Sequence, residues 1–564
     1  MVALTTLSAL AALLCTVGAL NTSLPIVDLG YELHQGSYEA EGRYYNFSNI
    51  RYAAPPVGEL RFAKPQPPAV NRSVVQTGDQ GRICAQASPS WATASGQWLG
   101  AYLANGTTNF SSSLFESKGP FQAPPQDPMT SEDCLFLDVM APQSIFDNAG
   151  KSAGAPVLVW IYGGGYIGGS KISEGSPSGL LKRSNNGVVY VALNYRLGAF
   201  GWLSGSTLQA NGTANAGLHD QRLALKWVQD NIHLFGGDPN QVTVFGESAG
   251  GGSIMHHITA YGGKQGPAPF ARAIAQSPAW FPMVSSVSQE NIFNDFLHYA
   301  NVSTIEQARK LPFEALQRAN LQQVANSYIG GVTYGPVVDG DYAPALPGQL
   351  LARGHFDKSV KVMAGHNGDE GIIFTDPLVK DEATFEDFIL TALPSLSSYP
   401  KALDHITKVL YPPIFDGSQA QGYRTQVARA AALIGEIGFT CNTFYLNKGF
   451  SNNTHAYMFA APPALHAMDV EYTYYCGNSS GTPGSSVSTP GQANLAYGLQ
   501  TYITNFAQYG NPNGNGSSTS TPVPYFPVYG NNATIQVLNV TDFHTMRDTE
   551  ANPRCAWWQK GLYF

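Results

Sequence analysis

The sequence predicts an α/β protein: a large, mostly parallel central sheet flanked by helices, folded as one domain with long loop insertions. Six short β-rich runs recur along the chain, at Pro156–Gly163, Val188–Arg196, Val242–Gly246, Ala273–Ser277, Val360–Gly365 and Ala456–Ala461. Several are apolar on both faces, as expected of strands covered on both sides of a parallel sheet. Helical sequence separates them: in DQRLALKWVQDNI, from Asp220 to Ile232, residues Leu223, Trp227, Val228 and Ile232 fall near one face of a helix. With 43% hydrophobic and 12% aromatic residues, the 564-residue chain can bury a single large core, and no internal repeat forces a split.

The N-terminal run MVALTTLSALAALLCTVGAL ends in the small residues Val17, Gly18 and Ala19, which suits a signal peptide over residues 1–19 with the mature domain over 20–564. The competing reading is a membrane anchor, but a span needs about 20 apolar residues, and Thr5, Thr6, Ser8 and Thr16 interrupt this run. Twelve N-x-S/T sequons fit a secreted, extracellular glycoprotein: Asn21, Asn46, Asn71, Asn105, Asn109, Asn211, Asn301, Asn452, Asn478, Asn515, Asn532 and Asn539. A net charge of −8 with only 12% charged residues leaves no basic surface for nucleic acid or anionic membrane.

Between Cys84 and Cys134 lies a Ser/Thr/Pro/Gly-rich insertion carrying Trp91, Trp98, Leu99, Tyr102, Leu103, Phe110, Leu114, Phe115 and Phe121. So apolar a loop is expected to cover something. After the first long β-run, WIYGGGYIGGS (Trp160–Ser170) places three glycines at 163–165, whose bare backbone can bring N–H groups close to a substrate oxygen. Gly236-Gly237-Asp238-Pro239 reads as a strong breaker after the Asp220–Ile232 helix.

The stretch VFGESAGGGS then sets Ser248 between Gly246 and Gly250, after the run Val242–Phe245 and before a helix expected to start at Ala249. Strand, tight turn and helix are the setting in which a serine oxygen is held exposed as a nucleophile. A serine hydroxyl is a weak nucleophile, so it needs a base and donors for the oxyanion that follows attack. The N–H groups of the 163–165 run and of Ala249 are candidate donors, each worth about 3 kcal/mol. Two later segments, Gly477–Gly491 and Gly510–Pro524, are low in complexity and read as surface loops.

Taken together, RYAAPPVGELRFAKP (Arg51–Pro65), SEDCLFLDVMAP (Ser131–Pro142), WIYGGGY, NYRLGAFGWL (Asn194–Leu203), DQRLALKWVQDNIHLFGGDPNQVTVFGESAGG (Asp220–Gly251), GHNGDEG (Gly365–Gly371) and NFAQYGNPN (Asn505–Asn513) resemble the type-B carboxylesterase/lipase family of α/β-hydrolases, in character the secreted fungal members. The resemblance covers nearly all of the mature chain. It implies Ser248 as nucleophile, Gly164, Gly165 and Ala249 as oxyanion donors, and Glu370 as the acid, with Asp369 the adjacent competitor. The order Ser, acid, His leaves His405, His455, His466 and His544 downstream. His466, in APPALHAMDVEY, resembles the family's histidine loop. The family usually reads His-Gly there, so His466-Ala467 implies a slightly different backbone. His256 and His257, on the helix after Ser248, read as structural.

The resemblance also implies disulfides Cys84–Cys134 and Cys441–Cys555 with Cys476 left free, and structural ion pairs Arg61–Glu132 and Arg196–Asp238. It implies a serine hydrolase of small-molecule or lipid carboxylic esters that works through an acyl-enzyme and needs no metal or organic cofactor. Lipase, sterol, feruloyl and simple alkyl or aryl ester activities all occur among such relatives. The Cys84–Cys134 insertion fits either a lid or a fixed rim. A non-catalytic recognition protein is the alternative from another class, and it predicts a replaced serine, glutamate or histidine; all three are present.

Overall fold

A computed structural model of the chain describes residues 24–105, 121–477, 490–515 and 523–564. Three short strands, β1 (Ile26–Asp28), β2 (Leu33–Gln35) and β5 (Val75–Gln76), form a small N-terminal sheet. Eleven strands form the central sheet: β3 (Ser37–Glu39), β4 (Tyr44–Arg51), β6 (Phe136–Pro142), β7 (Ala155–Ile161), β8 (Val189–Leu193), β9 (Gly237–Glu247), β10 (Arg272–Gln276), β11 (Lys361–Asn367), β12 (His455–Phe459), β13 (Thr534–Leu538) and β14 (Phe543–Arg547). Their order is β14-β13-β12-β11-β10-β9-β7-β8-β6-β4-β3. From β8 through β7 and β9 to β13 every pairing is parallel, and antiparallel pairs close both ends. All six sequence-predicted runs are strands of this sheet, and β8 is buried at all five positions, as a strand covered on both faces must be.

The helix expected over Asp220–Ile232 runs over Ala216–Asn231 and buries Ala224, Leu225, Trp227 and Val228, while Leu223 is only half-buried. The Gly236–Pro239 breaker is not a gap between elements. Gly236 takes a left-handed conformation, and β9 starts at Gly237. The pairing shifts register from Ala155–Gly237 to Val157–Val242, so Pro239 lies in the bulge and removes no ladder hydrogen bond.

Both implied disulfides are present, Cys84–Cys134 and Cys441–Cys555, and Cys476 is free and half-buried. The insertion between Cys84 and Cys134, read as an irregular loop, contains a helix over Trp91–Asn105. Trp98 packs there with Ile372, Val427 and Ala431 in a cluster separate from the main core. Phe110, Leu114 and Phe115, and the sequon residues Asn21, Asn109 and Asn478, lie outside the described residues. Asn71, Asn211, Asn301, Asn515 and Asn532 are exposed, whereas Asn46, Asn452 and Asn539 are half-buried.

One implied ion pair is present and one is corrected. Arg61 grips Glu132 with two hydrogen bonds of 2.5 and 2.7 Å. Arg196 pairs with Asp220, at 2.8 and 2.7 Å, and not with Asp238. The topology gives the reason: β8 and β9 both run parallel to β7. Arg196, just past the end of β8, and Asp238, at the start of β9, therefore sit at opposite edges of the sheet. Asp238 instead accepts from Asn240 N in its own turn.

Candidate active site

Five neighbouring parallel strands deliver the site from their C-terminal ends, the edge where open α/β sheets bind ligands. Ser248 follows β9, Ser277 follows β10, Glu370 lies three residues past β11, His466 lies on the loop after β12, and the glycine run follows β7. Ser248 adopts φ 54° and ψ −122°, a region costing about 1–3 kcal/mol for a non-glycine residue. The surroundings hold it there: Ser248 N donates to Gln276 O at 3.0 Å, and Ala279 N donates to Ser248 O at 2.9 Å. A Cβ on Gly250 would lie 1.9 Å from Ile161 O, and one on Gly246 2.5 Å from the same atom. The two glycines of the motif are what allow the turn to press against β7.

The Ala249–Ile258 helix starts where the sequence placed it, so Ala249 N–H is one of its unpaired first-turn donors. Gly164 and Gly165 have φ of +96° and +61°. The Gly164 carbonyl accepts from Ile167 N and Gly168 N, and Gly164, Gly165, Ser248 and Ala249 line one cavity.

His466 Nε2 lies 2.8 Å from Ser248 Oγ, and His466 Nδ1 lies 2.5 Å from Glu370 Oε2. A carboxylate only accepts, so Nδ1 carries the proton, and Nε2 is left to accept from the serine hydroxyl. Glu370 is fully buried and its other oxygen accepts from Ser277 Oγ at 2.7 Å and Asn367 N at 2.5 Å. Burial pushes this carboxyl up, but the electrostatic pull of His466 and the donors from His466, Ser277 and Asn367 outweigh it and hold the group below the usual carboxylate range. Phe374 and Phe439 hold the imidazole, with ring centroids 5.3 and 4.5 Å away.

Asp369, the competitor, is not the histidine's partner. Its carboxyl is pushed up to about 6 by burial and by the charge of Glu370. The other histidines are elsewhere: His455 Nδ1 lies 2.9 Å from Pro527 O, His544 pairs with Asp542, and His405 stacks on Trp557. His256 and His257 are buried and bonded within the fold, to Gly252 O and to Tyr342 and Gln221, and burial pushes both below the ordinary histidine range. The Ala467 departure is absorbed locally: Ala467 adopts φ 67° and ψ 3°, the left-handed conformation that glycine enters freely.

Four residues around the site were given no role by sequence reasoning. Ser277 and Asn367 clamp Glu370, and Asp469 accepts from Asn367, Gln276 and Tyr457 behind them. Glu247, the residue before Ser248, lies 3.3 Å from His466 Nε2, and its carboxyl is raised far above the usual range by burial and by Asp469, Glu370 and Glu174. Glu247, Asn367 and Asp469 lie inside sequence motifs, Asn367 only three residues from Glu370; Ser277 lies outside them and reaches Glu370 through the pairing of β10 with β11.

Above Ser248 opens a cavity of about 700 Å³, walled by aromatic residues that include Trp91, Trp280, Phe281 and Phe439. Its described lining carries no Lys or Arg, so nothing there attracts an anionic ester. As for metals, Glu436, Cys441, Glu550 and Cys555 bring four candidate ligand atoms within 4.8 Å of one another, but both sulfurs are committed to the disulfide.

A sequence profile described as the carboxylesterase family matches residues 27–558. The chain belongs to the carboxylesterase family. This carboxylesterase is 41% identical to carboxylesterase patB of Penicillium expansum over 95% of its own length and 96% of that protein. It is 33% identical to a secreted lipase of Arthroderma benhamiae over 78% and 84%. Among solved structures, Aspergillus niger EstA superposes with a TM-score of 0.78 at 26% identity, covering 95% of this chain and 98% of that one. The carboxylesterase has the α/β-hydrolase fold and is a carboxylic-ester hydrolase. Among its described residues no helix is long and apolar enough to cross a membrane.

Proposed function

We propose that this carboxylesterase is a secreted serine esterase that uses Ser248, His466 and Glu370 as its catalytic triad and the N–H groups of Gly164, Gly165 and Ala249 as its oxyanion hole. The observation that carries the reading is the continuous proton path from Ser248 Oγ through His466 to Glu370, at 2.8 and 2.5 Å.

His466 Nε2 takes the serine proton as Oγ attacks the ester carbonyl, and the carbonyl oxygen becomes an oxyanion facing the three N–H groups. Glu370 keeps the imidazole in the Nδ1–H tautomer and stabilises the imidazolium without taking its proton. Collapse of the tetrahedral intermediate breaks the bond to the alkoxide, which leaves with the proton from Nε2. Water then repeats the sequence on the acyl-enzyme and restores Ser248. This route draws on no metal or organic cofactor.

The substrate is a neutral ester with an apolar portion, in keeping with the aromatic cavity. Export is supported by the N-terminal apolar run over residues 1–19, the sequons, the two disulfides, and relatives named as secreted lipases.

A fluorophosphonate probe tests the assignment. The wild type is expected to be labelled on Ser248 and to lose ester hydrolysis, and Ser248→Ala to take no label. A wild type that is folded yet unlabelled would overturn the proposal.

A further inference from the structure

The cavity wall includes Tyr563 and Phe564, residues that none of the family motifs touches. They lie at the end of a fastened aromatic segment. The Pro553–Trp558 helix is bound to the helical turn Glu436–Thr440 and the residue after it by a disulfide and by two hydrogen-bonded paths that meet on the Glu436 carboxylate. Cys555 is bonded to Cys441. Arg554 Nη2 donates to Glu436 Oε1 at 2.6 Å. Trp558 Nε1 donates to Tyr411 OH at 2.9 Å, and Tyr411 OH donates to Glu436 Oε2 at 2.6 Å.

Beyond that helix the rings continue without interruption. Trp557 packs on Trp558 at 4.8 Å, Trp558 on Tyr563 at 5.0 Å, and Tyr563 on Phe564 at 5.0 Å. Gly561, at φ +64°, turns the chain, and a Cβ there would lie 2.8 Å from Phe564 Cζ. The bare glycine is therefore what lets the Phe564 ring fold back. The same Glu436–Thr440 turn carries Phe439 against His466, so one anchor supports both a wall of the cavity and a face of the imidazole.

We propose that the Tyr563–Phe564 ring pair, held by the Cys441–Cys555 staple, is a specificity-determining wall that limits the length of the apolar chain an ester can place in the cavity. The inference rests on the esterase reading above and deepens it. Among the described residues their ring partners are Trp557, Trp558 and each other, not His466. The wall therefore acts on reach rather than on the chemical step. A pocket surface discriminates by roughly tenfold or more for each methylene it excludes.

The test is kcat/KM across two series, p-nitrophenyl esters of lengthening acyl chain and acetates of lengthening alcohol, for wild type, Phe564→Ala and Phe564→Trp. Phe564→Ala is expected to raise the long-to-short ratio about tenfold in one series, and Phe564→Trp to lower it. The series that responds identifies the branch facing the wall. Joint replacement Cys441→Ser and Cys555→Ser is expected to shift the ratio in the same direction as Phe564→Ala. Parallel curves for all variants in both series, with an active wild type, would overturn the wall alone. A wild type inactive throughout and unlabelled at Ser248 would overturn the esterase reading and the wall with it.

Discussion

Removing the Ser277 hydroxyl is the most informative single change outside the proposed triad. Ser277 Oγ donates to Glu370 Oε1 at 2.7 Å and accepts from Asn367 Nδ2 at 3.0 Å, all three residues being buried. A hydrogen bond to an ionised acceptor is worth about 1.5–3 kcal/mol, and Ser277→Ala takes that from the ionised form of Glu370 only. If Glu370 stabilises the imidazolium at the transition state, kcat/KM falls by roughly tenfold to a hundredfold. The sign with pH follows from the same bond. Glu370 is held below the usual carboxylate range, so its contribution to stability is present above the ordinary glutamate pKa and is lost as pH falls through the depressed native value. Ser277→Ala raises that native value, and the loss of activity begins at a higher pH on the acid side. The assay is a kcat/KM profile from acid to neutral pH on a short soluble ester, with thermal melts at the same points. A variant within twofold of wild type, or one whose activity drops uniformly while the acid limb stays in place, would refute the role given to Ser277.

Two further outcomes are expected. The Glu550 carboxyl is fully buried and pushed up to about 8, first by desolvation and then by Glu436 and Asp548. The native state therefore keeps a proton that the unfolded chain has lost above the ordinary glutamate value, so stability falls as pH rises between the two values. Glu550→Gln removes that penalty, which reaches up to about 5 kcal/mol near pH 8. It should raise Tm by a few degrees near pH 8 and hardly at all near pH 4, and an equal shift at both would refute the charge argument. Trp98→Ala opens a cavity in the cluster with Ile372, Val427 and Ala431, at a cost of about 3–5 kcal/mol. Because that cluster joins the Trp91–Asn105 helix to the loops of Glu370 and His466, proteolysis of that helix should accelerate below the global Tm and kcat should fall together with it. Unchanged cleavage would mean the helix is held in some other way.

The parts of the fold legible in the sequence were those encoded locally. Runs such as VYVAL are apolar at every position and could be read as strands of a covered parallel sheet before any pairing was known. Ser248, Gly164 and Gly165 were legible because tight turns demand glycine, a requirement that short motifs record. The Trp91–Asn105 helix was not legible: its Ser, Thr and Gly content has weak helical preference, and the contacts that hold it come from residues near 372 and 427. The Arg196–Asp238 pair implied by the resemblance is not met because strand direction puts the start of β9 at the opposite edge of the sheet from the end of β8, where Asp220 stands instead. Ser277 carries no motif, and its proximity to Glu370 exists only once β10 and β11 are side by side; Asn367 and Asp469 stand inside GHNGDEG and APPALHAMDVEY, whose spacing does not reveal the hydrogen bonds they make.

The order β12-β11-β10-β9 has a wider consequence. His466 is 218 residues from Ser248 and 96 from Glu370 along the chain, yet each follows one strand of a contiguous parallel set. A slip of one residue in any of those strands would displace its side chain by roughly 3.3 Å, more than the length of the hydrogen bonds that join the proposed triad. Catalytic competence is thus written in the alignment of the whole sheet. No fragment of this chain holds a partial copy of it, and hydrolysis of a simple ester reports on the assembly of the complete architecture as directly as any spectroscopic probe.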